Sequence, residues 1–145
     1  MSGLPLEPTV TQRRSISTEV LAFLDEWLDR RDESPASWPE TSPQLLDELL
    51  VGPTEDGRDL SSLLGDIARA TDTGFDTAGQ GFLSYIPSGG LYTAALGALI
   101  GAVTNQYTGA AHASPGMTAI EESVIMWMAD LFGLPPTAGG VLLSG

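Results

Sequence analysis

Prolines and glycines cut this chain into short apolar stripes, and that punctuation limits what it can build. Pro35 and Pro39, Gly52-Pro53, Pro87 with Gly89-Gly90, and Gly133 before Pro135-Pro136 each interrupt a periodic run. Proline removes a backbone donor and fixes φ, and glycine is costly inside a helix, so each cluster marks an end or a turn. Between the breaks the spacing is helical. Val20, Leu21, Leu24, Trp27 and Leu28 form one stripe, which predicts a helix from about Ser17 to Arg31 with Ser17 as its N-cap. Ser42-Pro43 opens a short helix through Val51, because proline suits the first helical position. A third helix runs from Asp59 to Thr71 and offers Leu60, Leu63, Leu64 and Ile67 for burial. Three narrow stripes make a thin layer, suited to lying on another surface rather than enclosing a core of its own.

From Gly74 onward the sequence becomes glycine-rich and weakly charged. Residues 81–90 read as irregular or briefly extended. Tyr92 to Thr104 reads as a buried apolar helix, Asn105 to Ala113 as a loop, and Ser114-Pro115 as the start of a helix on which Ile120, Val124, Met128 and Leu131 share a face. Val141-Leu142-Leu143, bounded by glycines, reads as a first buried strand. No internal repeat is visible. The organisation expected is a loose tail over 1–14, a three-helix segment over 15–80, and a loop, two helices and a strand over 81–145.

Nineteen acids against six basic residues give a net charge of −13. Such a field repels phosphate backbones and anionic lipid, so neither nucleic acid nor a membrane surface is an expected partner. The most apolar run, Leu91 to Val103, would span roughly 20 Å as a helix at about 1.5 Å per residue, short of a hydrocarbon core of about 30 Å. The first ten residues lack the basic and apolar regions of a signal peptide. A soluble, cytoplasmic protein is the expectation. With no cysteine, disulfides and thiolate metal sites are excluded.

Few residues point to chemistry by themselves. Ser84-Tyr85-Ile86-Pro87-Ser88-Gly89-Gly90 combines a phenol, a rigid proline, a hydroxyl and close-approach glycines, as a small-molecule pocket can. A structural turn explains the same residues. Ser114, Thr118 and Glu121-Glu122 read as a helix start, since acids near an N-terminal turn are favoured by the helix dipole and adjacent positions face apart. His112 is the single histidine and has no partner at metal-ligand or catalytic spacing, so no metal site is expected. The glycines form no dinucleotide or phosphate-loop fingerprint.

Four pieces in order carry a resemblance. They are Phe82-Leu83-Ser84-Tyr85-Ile86-Pro87-Ser88-Gly89-Gly90, Thr104-Asn105-Gln106-Tyr107-Thr108-Gly109, Ser114-Pro115 with Thr118 and Glu121, and Gly139-Gly140-Val141-Leu142-Leu143-Ser144-Gly145. Over these roughly 65 residues the chain resembles the group II decarboxylases that depend on pyridoxal 5'-phosphate (PLP), the family of aromatic-L-amino-acid, histidine and glutamate decarboxylases. The resemblance implies a mainly α piece: an N-terminal helical segment followed by the start of the large α/β domain of a fold-type I PLP-dependent transferase. It implies a homodimer wrapped by the N-terminal helices, and an L-amino acid converted to an amine plus CO2.

It also implies site residues. Tyr85, Pro87 and Ser88 would border the substrate pocket, Ser88 standing where the family often has threonine. Tyr107 would lie on a loop reaching the neighbouring subunit's pocket. Aromatic-specific members carry bulky apolar residues there, whereas Thr108 and Gly109 follow here. Ser144 and Gly145 would reach only the approach to the phosphate cradle. His112 stands where the family usually has a small residue and inherits no ring-stacking role. The family holds PLP on a lysine amine, and this chain has no lysine; all six of its basic side chains are arginines, which stay protonated. No catalytic residue is therefore expected within these residues. The reading is the N-terminal part of a PLP-dependent decarboxylase, inactive by itself. Two alternatives stand beside it: a non-catalytic helical interaction module, and a PLP lyase or aminotransferase of the same fold.

Overall fold

The structure, a computed structural model, describes residues 7–53, 55–84 and 90–143. Its contacts separate two units, Met1–Gly90 and Leu91–Gly145.

In the first unit, helix α1 (Val10–Asp29) runs into a 3₁₀ turn (Arg30–Glu33), followed by α2 (Pro43–Leu49) and α3 (Leu60–Thr71). Helix α1 begins well before Ser17, so residues 10–14, expected in the tail, are helical. A capping box explains the early start: the Thr9 hydroxyl accepts the Gln12 amide at 3.3 Å, and the Gln12 side chain accepts the Thr9 amide at 2.8 Å. Two otherwise orphaned donors are thereby satisfied. The apolar stripe misses this turn because Gln12, Arg13 and Arg14 contribute nothing to it. The other starts fall as expected. Ser42 accepts from the Leu45 amide at 3.2 Å with Pro43 at the first position, and Asp59 accepts from the Ser62 amide at 2.8 Å.

Helices α1 and α3 meet, and the Trp27 indole donates to the Thr71 hydroxyl at 2.9 Å. Leu64 is the buried apolar side chain among the described residues, while Leu63 and Ile67, expected inside, are 40% and 48% exposed. The layer is as thin as the narrow stripes imply. Ions supplement it: Arg69 spans from Asp66 at 2.6 Å to Glu48 on α2 at 2.7 Å, and Arg58 reaches Asp66 at 2.6 Å.

In the second unit, α4 (Tyr92–Thr104) ends at Asn105, whose φ of 45° is left-handed, and α5 (Pro115–Leu131) ends before Gly133 at φ 65°. Two expectations fail here. Helix α4 was expected to be buried, yet it contains no buried residue, and Leu99, Ile100 and Val103 are open to solvent. Nothing among the described residues of the second unit covers them. Val141-Leu142-Leu143 was expected to be a strand but pairs with no neighbouring strand among the described residues. A strand is defined by its ladder partner, and the one β-bridge described joins Ser37 to Phe75 in the other unit. As described, the chain is mainly α. None of the described helices is long and apolar enough to cross a membrane.

Thr9→Ala should cost about 1 kcal/mol of first-unit stability by removing the cap, measured as a lower urea midpoint with reduced helicity. A second test uses pH. Hydrogen bonds from Arg69 and then Arg58 hold the Asp66 carboxyl below the usual carboxylate range. A depressed folded value means that the stabilisation is present above the unfolded value of about 3.9 and is lost as pH falls through the folded one. The stability gap between wild type and Arg69→Met should therefore be open near neutral pH and narrow as acid protonates Asp66, read from denaturation midpoints across that range.

Candidate functional site

The first unit holds the approach to the Tyr85–Ser88 stretch. Residues 34–38 and 72–82 run alongside each other: Trp38 donates to the Gly74 carbonyl at 2.8 Å, and Asp76 donates to the Ala36 carbonyl at 3.2 Å. Asp76 then turns inward and is almost completely buried, as is Arg31. Arg31 Nη1 lies 3.2 Å from Asp76, its Nη2 lies 2.9 Å from Asp72, and its Nε donates to the Trp27 carbonyl at 3.3 Å. The guanidinium carbon stands 4.3 Å from the centre of the Trp27 ring, a cation–π distance. Asp76 also accepts from the Gly79 amide at 3.1 Å and from the Ser34 hydroxyl. Glycine is required at 79, because a Cβ there would stand 2.7 Å from the Asp76 carboxylate and 2.9 Å from the Ser34 hydroxyl. Beyond it, Phe82 donates to the Gly79 carbonyl at 3.2 Å, and its ring lies 6.1 Å from that of Phe75. Tyr85, Pro87 and Ser88 lie outside the described residues.

The second unit joins the remaining pieces of the resemblance. After α4, Tyr107 folds back over Gly109, where a Cβ would lie 2.6 Å from the far end of the Tyr107 ring. The ring is otherwise open, at 68% exposure. Ser114 does not cap α5. Its hydroxyl donates instead to the Gln106 side chain at 3.3 Å, and its carbonyl accepts from the Thr118 hydroxyl at 3.0 Å. That contact draws the Gln106–Tyr107 loop onto the start of α5. One turn further along, Glu121 accepts the Leu142 amide at 3.1 Å, and Gly140 lies against Ile125. The segment expected to be a strand is thus held by a side chain on α5. Ser144 and Gly145 lie outside the described residues.

Sequence reasoning placed Gln106 and Glu121 in the resembling pieces but gave neither of them a partner. No spacing rule links residues 8 or 21 apart in irregular segments, so only the folded chain identifies these pairs.

These residues do not by themselves fit PLP. The aldehyde requires a lysine amine, which is absent from the sequence. The phosphate favours cations or clustered amides, yet from Leu91 onward the charged groups are Glu121, Glu122 and Asp130, with no arginine. Four of the six arginines, Arg30, Arg31, Arg58 and Arg69, are committed to carboxylates in the first unit. A groove of about 640 Å³ between α1 and α3 is lined by Phe23, Leu64 and Ala68 under a rim of Glu19 and Glu26, and contains none of the residues expected at the site.

No protein-family model matches the chain, and no curated protein sequence does. Solved structures do match. The chain is similar to Oryza sativa TDC with PLP and tryptamine, at a TM-score of 0.78 and 21% identity over 92% of this chain and 28% of that one. The same protein with PLP matches equally. Rhodiola rosea 4-hydroxyphenylacetaldehyde synthase matches at 0.77 and 20% identity, over 91% of this chain and 28% of that one. The described chain, mainly α, therefore shares the fold of the matching part of these structures. The chain spans about 28% of the length of these relatives, and the likeness agrees with the group II resemblance of its motifs.

The ring over Gly109 gives a direct test. Gly109→Ala should displace the Tyr107 ring, because the contact is with the free end of a side chain that can swing away. Its aromatic resonances should shift while α4 and α5 keep their helical signals; unchanged Tyr107 resonances would contradict the placement.

Proposed function

We propose that these residues are the N-terminal part of a PLP-dependent decarboxylase that converts an L-amino acid to an amine plus CO2. The observation that carries the reading is the fold likeness, a TM-score of 0.78 over 92% of the chain, in company with four motif pieces in family order. PLP, when bound in such an enzyme, supplies the electron sink for loss of the carboxylate. This chain contributes scaffold and pocket border. Tyr85, Pro87 and Ser88 would edge the substrate pocket, Tyr107 would reach towards a partner subunit's pocket, and Ser144 and Gly145 would begin the approach to the phosphate. The N-terminal helices would join two copies in a cytoplasmic homodimer. The exposed Tyr107 ring and the open face of α4 support this reading, since both offer surface that the second unit leaves uncovered.

A second reading keeps the fold and changes the reaction. It is favoured by the Rhodiola rosea relative, which is named for making an aldehyde rather than an amine. Product analysis separates the two.

The test has two arms. The 145-residue chain alone, incubated with PLP and reduced with borohydride, should yield no PLP-labelled peptide beyond its amino terminus, and should release no CO2 from amino acids. A label elsewhere, or CO2 release, would overturn the expected inactivity. The reading frame that follows Gly145 should encode a lysine-bearing continuation whose product decarboxylates an amino acid; a frame without one would refute the enzyme reading.

A further inference from the structure

We propose that Arg31 and Asp76 are positioning residues that fix the path of residues 76–84, the segment that precedes Tyr85 in the sequence. The proposal rests on the decarboxylase reading only for the importance of that stretch; the clamp itself stands on the geometry.

Asp76 and Arg31 are the most buried charged groups among the described residues, each 4% exposed, in a unit with almost no apolar core. Burying a full charge is tolerated only where partners satisfy it. Here the partners come from every segment that meets at this point. Arg31 contributes from the turn after α1, Ser34 from the connector, Asp72 from the end of α3, and Gly79 from the segment that continues to residue 84. Gln80 adds an outer tie, donating to Asp32 at 2.7 Å. Gly81 packs against Ala36, where a Cβ would stand 3.3 Å from the Ala36 Cβ. Phe82 follows, donating to the Gly79 carbonyl with its ring against Phe75, and Leu83 after it is 95% exposed. The carboxylate of Asp76 is thus the buried charged anchor of the segment that precedes the stretch to which the resemblance gives the substrate border.

The rest of the unit has separate supports. Helices α1 and α3 keep the Trp27–Thr71 hydrogen bond and the Leu64 contact, and α2 keeps its link through Arg69 and Glu48, without Asp76. A defect at Asp76 leaves Arg31 held by Asp72 and the Trp27 carbonyl, so it is relieved most cheaply by lifting residues 76–84, not by separating the helices.

Segment-resolved amide hydrogen exchange on the full 145-residue chain tests this without cofactor or substrate. Asp76→Asn retains an acceptor for the Gly79 amide but loses the charge that faces Arg31. It should speed exchange at Gly79 and Phe82 by about tenfold or more, while amides inside α1 and α3 stay within about twofold. Gly79→Ala, which leaves both charges in place and drives a Cβ into the Asp76 carboxylate, should produce the same localised change. Asp76→Glu, which restores the charge, should recover part of the protection. Unchanged exchange over 76–84 in Asp76→Asn or Gly79→Ala would overturn the proposal. So would a uniform rise across α1 and α3, which marks a general stability role. If Asp76→Asn does not fold, Gly79→Ala decides by the same criteria. An enzyme reading refuted by product analysis would leave this result standing, so the two failures are distinguishable.

Discussion

In the first unit, one guanidinium occupies the place that an apolar core fills in a larger domain. Arg31 meets Asp76 and Asp72 with its two terminal nitrogens and the Trp27 carbonyl with its third, over an indole face. That geometry needs a planar fork with several fixed donors, which lysine lacks. A buried pair of this kind is not a large net source of stability, since desolvation offsets most of the attraction. Its asymmetry is what matters. Removing one partner from such a pair costs about 3–5 kcal/mol, because the other charge is left without compensation. The pair therefore specifies one arrangement of the segments that share it, and the connector, the end of α3 and the Gly79–Ser84 run are all among them.

The second unit follows a different logic. Its elements form from local signals: Pro115 at the first turn of α5, the left-handed Asn105 after α4, and Gly133 after α5. No buried apolar face holds α4 and α5 in place. Side-chain to loop contacts order the segments before and after α5 instead, through Ser114 on Gln106 and Glu121 on the Leu142 amide. Both contacts join pieces that the resemblance had only set in sequence order. The fold likeness is to structures of which this chain matches 28%.

Much of the helical framework was legible in the sequence. Ser42, Asp59 and Pro115 announce their helices because a cap is a local interaction between residues a few positions apart. The start of α1 was equally local but was missed, because the Thr9–Gln12 box lies ahead of the apolar stripe that was used to find the helix. Burial was the larger error. Hydropathy made α4 an interior helix, yet hydropathy records only a side chain's preference for cover, and the cover is supplied by other parts of a structure. The strand at Val141 failed for the same reason, since β structure needs a neighbour that periodicity cannot provide.

The sequence by itself determined where most of the helices begin and end, and that these residues include no lysine, because each depends on residue identity or on neighbours within a turn. Only the tertiary structure decided which side chains meet across long separations. Arg31 with Asp76, Gln106 with Ser114 and Glu121 with the Leu142 amide are joined by irregular segments, whose path no period describes. A buried charge takes whichever partners the folded chain brings within reach, and that choice is made in three dimensions.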